Sequence, residues 1–303
     1  MRRFIIITGP TASGKTRVSV EVAKSLQSSV ISADSMQIYK GMDIGTAKAT
    51  PAEMQCVRHD LIDIVGPNEA FSAADFQKAA FTLIDAANRK GEVPVIAGGT
   101  GLYVNALVYD LNFGESRRDD TIRLKMTQLA DDKSSDYLYN ILENKDPEYA
   151  KIIAKNDKRR ILRRLELIET SGTRAYDFRR PNTSDEFLII GLTMPRPMLY
   201  ERIEARVDDM MRRGLMDEAR QVYDEYGETI ALKAIGYKEL VEHFKATVSL
   251  DEAVSLIKRN TRRFAKRQMT WFKRDERIVW FDVSPCIEET IHEIMLYIKR
   301  KGF

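Results

Sequence analysis

An apolar run, Phe4-Ile5-Ile6-Ile7-Thr8, leads straight into Gly9-Pro10-Thr11-Ala12-Ser13-Gly14-Lys15-Thr16, and a helical pattern continues to about Ser25. Strand, G-x-x-x-x-G-K-T and helix in that order are what a phosphate-binding P-loop requires. The strand is apolar on both faces, as in a parallel sheet covered by helices. Gly9 and Gly14 allow the backbone to curl so that several N–H groups point at one anion. The helix from about Lys15 adds its positive N-terminal end. Lys15 is placed to reach terminal phosphates, and the Thr16 hydroxyl to hold Mg²⁺. The motif specifies a phosphate or pyrophosphate, and neither which one nor its fate.

A chain of 303 residues with 44% hydrophobic and 31% charged residues has enough apolar surface for one large domain or two modest ones. A net charge of +3 is too small to identify a nucleic-acid partner by itself. Cys56 and Cys286 stand far apart and form no C-x-x-C pair, which argues against a zinc ribbon or redox motif and fits a reducing cytoplasm. The first apolar run is too short for a signal peptide, and no stretch has the length of a membrane span. A cytoplasmic protein, taken as a monomer, is expected.

Val30-Ile31-Ser32-Ala33 predicts a second strand that delivers Asp34-Ser35-Met36-Gln37 at its C-terminal end. Ligands of open parallel sheets bind at that edge, so Asp34 is expected beside the P-loop, where a carboxylate binds metal, takes a proton or caps a helix. Residues 41–48 are glycine-punctuated and predict a loop at the same edge. A strand is expected over 59–65, then a helix opened by Ser72 and Asp75 as a capping pair. Val93 to Ala97 is the next strand, followed by Gly98-Gly99-Thr100-Gly101. No Asp ends that strand, so the carboxylate with which P-loop NTPases support Mg²⁺ is not evident there.

From about Asn112 to Asp120 the strand signals stop. Residues 116–182 predict an all-helical insertion, with helices over 122–129, 137–142, 148–153 and 158–170, the last ended by Gly172. The core is then residues 1–115 and 183–303. Between Lys155 and Arg180 nine basic residues, Lys158, Arg159 and Arg160 among them, face four acidic ones. The sheet resumes at 187–192, one long helix is expected over 198–226 with Arg202 and Arg206 on one face, and Ala234-Ile235-Gly236-Tyr237-Lys238 bends into another helix. Ser249 and Glu252 form a capping box for a helix running to Lys273, and a strand over 278–282 and a final helix close the chain. From Lys258 to Arg277 nine basic residues face two acidic ones, with aromatics interleaved. Such a helix is either a solvated surface or a partner for a nucleic-acid backbone; two basic stripes in one P-loop protein favour the second.

Taken together, these blocks resemble the tRNA dimethylallyltransferase, or isopentenyl-tRNA transferase, family over nearly the whole chain. The resemblance rests on Gly9 to Thr16, Asp34-Ser35-Met36-Gln37-Ile38-Tyr39, Met42 to Lys48, Gly98 to Tyr103, Asp157 to Glu166, Ala234 to Lys238, and Lys266-Arg267-Gln268-Met269-Thr270-Trp271-Phe272. His59-Asp60 stands where paired histidines are frequent, and Arg164 where a small residue is more usual. No ligand set for the C-terminal zinc finger of eukaryotic members is present, which marks the chain as bacterial in type.

The resemblance implies an α/β fold, a P-loop-type parallel sheet flanked by helices with an all-helical insertion domain that contacts tRNA. It implies transfer of a dimethylallyl group from dimethylallyl diphosphate to the exocyclic amine of the adenine adjacent to the anticodon, with diphosphate leaving. The P-loop, Gly9, Pro10, Thr11, Ala12, Ser13, Gly14, Lys15 and Thr16, would then hold the diphosphate with Arg206, and Mg²⁺ near Thr16. Asp34 matches the general base and Thr100 a position near the reacting groups. Asp34, Ser35, Met36, Gln37, Lys158, Arg159, Arg160, Gly236, Tyr237, Lys238, Lys266, Arg267, Gln268 and Trp271 match positions that meet the tRNA anticodon stem-loop. Three other readings stay open on the residues alone: an ATP-dependent small-molecule kinase, an isopentenyltransferase for free adenine nucleotides, and an RNA-binding protein with an inactive P-loop.

Overall fold

The structure, a computed structural model, describes residues 1–111, 121, 124, 128, 134–171, 180–284 and 286–303. These fall into two compact units, residues 1–108 with 182–303, and residues 109–181.

The first unit is built on a parallel sheet of six strands in the order β3-β2-β4-β1-β5-β6: β1 (Arg3–Thr8), β2 (Val30–Ser32), β3 (His59–Asp60), β4 (Val95–Ala97), β5 (Glu186–Thr193) and β6 (Ile278–Asp282). Phe4 to Ile7 are wholly buried, as strands covered on both faces must be. The register aligns the C-terminal ends that matter: Ile7 of β1 lies opposite Ala97 of β4, and Ala97 opposite Ser32 of β2. The segments after β1, β2 and β4 therefore emerge side by side.

Helices α1 (Lys15–Ser25), α2 (Pro51–Met54), α3 (Ala73–Asn88) and α4 (Gly101–Val108) follow the first four strands. Both sides of the α3 capping box form: Ser72 Oγ accepts the Asp75 N–H at 3.2 Å and Asp75 accepts the Ser72 N–H at 2.8 Å. Helix α4 is apolar almost all round and is buried. The strand expected over 59–65 is only two residues long, because Leu61 and Asp63 adopt left-handed backbone (φ 60° and 56°) that no extended strand accommodates.

Among the described residues, the second unit holds α5 (Ser135–Lys145), α6 (Pro147–Ile152) and α7 (Lys158–Ser171). Leu138 and Leu142, and Ile161 and Leu165, are fourth neighbours on their helices and meet in one small core with Ala150 and Ile153. Arg164 is buried there, with Nη2 2.6 Å from Asp146, whose other oxygen accepts the Tyr149 N–H at 3.0 Å and so caps α6. Arg164 thus belongs to the interior and not to the basic stripe. Of the helix expected over 122–129, Leu124 and Gln128 are helical; its remaining residues, the boundary at 116, Gly172, Arg174 and Arg179 lie outside the described residues.

The first unit is completed by α8 (Arg196–Arg212), α9 (Leu215–Tyr226), a 3₁₀ turn at Ala231–Lys233, α10 (Tyr237–Phe244), α11 (Leu250–Phe272) and α12 (Ile287–Arg300). The single helix expected over 198–226 is two, broken at Gly214 with φ 96°. Helix α11 opens on the expected box, with the Glu252 N–H on Ser249 Oγ at 3.2 Å and the Ser249 N–H on Glu252 at 2.8 Å. No helix among the described residues is long and apolar enough to cross a membrane.

Candidate active site

The turn after β1 curls as a P-loop, with positive φ at Gly9 (143°), Ala12 (64°) and Gly14 (88°). Lys15, the first residue of α1, folds back over it: Nζ donates to Pro10 O at 2.7 Å and to Gly9 O at 3.1 Å. Ser13 is wholly buried, and its hydroxyl has no hydrogen-bond partner among the described residues. A cleft open to solvent is bordered by Lys15, Thr16, Ser32, Asp34, Gln37 and His59. Burial first, and then the nearby Arg206 charge, lower the Lys15 pKa to about 8, against the opposing pull of Asp34. Two cations and one carboxylate, from α1, α8 and the segment after β2, thus act on one another, and the Arg206 charge is felt at Lys15 although the two are more than 190 residues apart.

Asp34 Oδ1 accepts the Met36 N–H at 2.9 Å, an Asx-turn that fixes the carboxylate at the strand end. Thr100 Oγ1 accepts the Ser35 N–H at 3.0 Å, and the Thr100 N–H reaches Ala33 O at 3.2 Å. These bonds tie the Gly98–Gly101 turn to the segment carrying Asp34. Thr8 Oγ1 donates to Gly98 O at 3.0 Å, tying the same turn to β1.

Gln268 on α11 completes the brace. Its Oε1 accepts the Thr11 N–H at 2.8 Å and its Nε2 donates to Gly99 O at 3.0 Å. Any side chain at position 99 would collide with it, since a Cβ there would lie 2.1 Å from Nε2. Trp271, one turn on, packs over Gly101. Of the residues expected to meet tRNA, Gln268 is buried and Tyr237 wholly so, and both brace loops from inside. Sequence reasoning missed Glu218, which accepts the Tyr237 hydroxyl at 2.6 Å and backbone N–H groups of the loop after β2. Its only signal is an acidic residue in the first turn of a helix.

The basic face of α11 is divided. Lys258 lies 2.6 Å from Asp208, and Arg262 pairs with Glu204, so its first half is tied to α8. Lys266 and Arg267, further along, are exposed and make no ion pair among the described residues. Lys266 and Pro10 border one hollow beside the P-loop, lined also by Met194, Leu199, Tyr200 and Met269. Lys238 lies exposed after Gly236 at the start of α10. In the second unit, Lys158, Arg159 and Arg160 are exposed in the first turn of α7.

Thr16 and Asp34 offer hard oxygen donors, which suit Mg²⁺. Among the described residues no three His, Cys, Asp or Glu side chains come together. A cation held by so few protein oxygens would take its other ligands from water and from the phosphates of a bound molecule.

The IPP transferase family model matches residues 37–275. The chain is 45% identical to the tRNA dimethylallyltransferase of Bacillus licheniformis, over 98% of this chain and 96% of that one. It is 47% identical to the tRNA dimethylallyltransferase of Carboxydothermus hydrogenoformans, over 96% and 95%. Among solved structures it is similar to the full-length tRNA isopentenylpyrophosphate transferase of Bacillus halodurans (TM-score 0.76, 43% identity, 99% of this chain and 97% of that chain). It is similar also to a eukaryotic dimethylallyltransferase acting on tRNA (TM-score 0.83, 28% identity, 94% and 75%). A P-loop braced against Asp34, on a sheet of the same fold and within a match that runs nearly from end to end, places this chain in the IPP transferase family, as a tRNA dimethylallyltransferase.

Proposed function

We propose that this cleft transfers the dimethylallyl group of dimethylallyl diphosphate to the exocyclic amine of the adenine adjacent to the anticodon of tRNA. The observation that carries the reading is that Lys15 and Asp34 border one cleft and that the Arg206 charge acts on the same lysine. Cations suit a departing diphosphate, and a carboxylate suits an amine that must lose a proton. The P-loop amides from Ala12 to Thr16, with Lys15 and Arg206, hold the diphosphate, since Pro10 has no N–H and the Thr11 N–H is engaged by Gln268. The allylic C–O bond breaks with its electron pair going to the diphosphate, whose growing charge these groups stabilise. The amine nitrogen bonds to the allylic carbon and passes one proton to Asp34. Mg²⁺ bound beside Thr16 would neutralise phosphate charge. Thr100 holds the Asp34 segment in register through the Ser35 N–H.

Contact with tRNA falls to exposed cations: Lys266 and Arg267 on α11, Lys238 on α10, and Lys158, Arg159 and Arg160 on α7. The target base leaves its stack to enter the cleft, past Ser35 and Met36, and Trp271 offers a partly exposed ring at the same edge. Transfer is measured with dimethylallyl diphosphate and unmodified tRNA, with AMP, with no acceptor, and with ATP in parallel. Transfer to tRNA alone supports the reading; transfer to AMP, or turnover of ATP, replaces it. Asp34→Asn should lower turnover by about 10²- to 10⁴-fold while tRNA affinity stays within about twofold. Normal turnover in that variant removes Asp34 from the base role.

A further inference from the structure

The Glu218 carboxylate is saturated with donors from two distant segments. Oε2 accepts the Asp43 and Ile44 N–H groups, each at 2.8 Å; Oε1 accepts the Gly45 N–H at 2.9 Å and the Tyr237 hydroxyl at 2.6 Å. Three successive amides converging on one carboxylate form an anion nest filled by the protein's own side chain. The Tyr237 ring occupies the space a side chain at Gly45 would need, since a Cβ there would lie 2.4 Å from it. Lys48, buried, holds the far end of the same loop: it donates to Tyr39 O at 2.6 Å and pairs with Asp43 and Asp63. Residues 42–48 are clamped at both ends.

That loop holds Gln37. The Gln37 amide donates to Thr46 O at 3.3 Å and to Ala47 O at 3.2 Å, and its Oε1 accepts the Ser32 hydroxyl at 2.9 Å. A primary amide has two N–H donors, and both are used on carbonyls. The reversed amide would set its oxygen against two carbonyl oxygens, so the loop dictates the orientation. Gln37 therefore borders the cleft beside Asp34 with acceptor capacity only, the second lone pair of Oε1.

We propose that Gln37 is a specificity-determining residue that accepts one N–H of the target base's exocyclic amine, and that Glu218 and Tyr237 are positioning residues that impose its polarity through residues 42–48. The proposal rests on the tRNA adenine reading above. The amine has two N–H bonds. One proton passes to Asp34 as the N–C bond forms; the other N–H stays on the product nitrogen and is the one Gln37 Oε1 holds. A base with a carbonyl at that place sets lone pair against lone pair and is rejected.

The test measures Kd for anticodon stem-loop RNAs with adenine, purine (no amine) or hypoxanthine (a carbonyl) at the target position. The wild-type protein is expected to prefer adenine over purine by more than about 3- to 10-fold, the range of one neutral hydrogen bond, because Asp34 faces the same amine, and over hypoxanthine by more still. Gln37→Met should cut both preferences by about 3- to 10-fold, leaving the share of the Asp34 carboxylate. Glu218→Gln, which sets an amide donor against backbone donors, should remove most of the share that Gln37 supplies. The double variant should discriminate no worse than Gln37→Met alone, because Glu218 acts through Gln37. Tyr237→Phe removes a single hydrogen bond and should give a partial loss, which serves if Glu218→Gln does not fold. A preference that Gln37→Met leaves undiminished, or one untouched by both Glu218→Gln and Tyr237→Phe while their melting temperatures fall, overturns the proposal. Dimethylallyl transfer by the wild-type protein to the adenine RNA is measured alongside: its absence strikes the proposed function, whereas transfer with unaltered preferences strikes this inference only.

Discussion

Gln268 Oε1 accepts the backbone N–H of Thr11 at 2.8 Å, across 257 residues of sequence. With the second bond to Gly99, one side chain of α11 holds the P-loop and the turn after β4 in a common frame. If the P-loop amides cradle the diphosphate as proposed, they must already be aimed, and the brace then serves the binding site without touching a phosphate.

Gln268→Leu keeps the volume of the side chain and leaves the Thr11 N–H and Gly99 O without it. The expected loss is about 2 kcal/mol of stability, together with roughly tenfold weaker binding of dimethylallyl diphosphate by calorimetry. Affinity for tRNA should change by less than about twofold. A selective loss of tRNA affinity would instead mean that Gln268 leaves the interior to meet the RNA.

Lys15 has a pKa lowered to about 8 by burial and by Arg206. Its charge is present below pH 8 and is lost above, so affinity for the diphosphate donor should weaken as pH rises through 8. The unfolded chain holds this proton up to the ordinary lysine value of 10.5. Between pH 8 and 10.5 the unfolded state therefore binds more protons, and the Lys15 contribution makes the unliganded protein more stable as pH rises. Lys15→Met should remove both effects: it should raise the melting temperature at pH 7 and abolish the pH dependence of residual donor binding. Donor affinity that is flat from pH 7 to 9.5 in the wild-type protein would place the lysine charge outside the binding step.

The two halves of α11 should respond differently to charge removal. Lys266→Ala with Arg267→Ala takes away two unpaired cations, and the slope of log K against log salt for tRNA should shrink by about 1.4 to 1.8. Lys258→Ala and Arg262→Ala remove cations that Asp208 and Glu204 already engage, and should leave that slope nearly unchanged. Equal changes in both pairs would show that the α8 ion pairs open on tRNA binding.

Arg164→Ala leaves the buried Asp146 carboxylate without its cation inside the second unit. Breaking such a pair costs about 3–5 kcal/mol. Hydrogen exchange should accelerate over residues 134–171 first, while residues 1–108 keep their protection, because the two units have separate cores. Protection lost equally in both units would show that they unfold together.

What the sequence determined was written in consecutive residues. The P-loop is a property of eight neighbouring backbone units, and its glycines and Lys-Thr pair state it outright. The capping boxes at Ser72 and Ser249 span four residues each, and the apolar runs at 4–7 and 187–192 state a covered parallel sheet. Asp34 was placed correctly at the edge because a strand end is a local feature and the sheet rule supplies the rest. The length of β3 and the break at Gly214 were misjudged, since apolar spacing continues across a residue whose positive φ ends the element. Only the tertiary structure decided which polar residues serve the site from within. The Arg206 charge acts on Lys15 from another helix, Gln268 reaches Thr11, and Glu218 reaches Asp43 to Gly45, each across more than 170 residues. Interactions at that separation leave no period in the sequence: a Gln that braces a P-loop and a Gln that meets solvent are the same letter on a basic helix, and burial alone tells them apart.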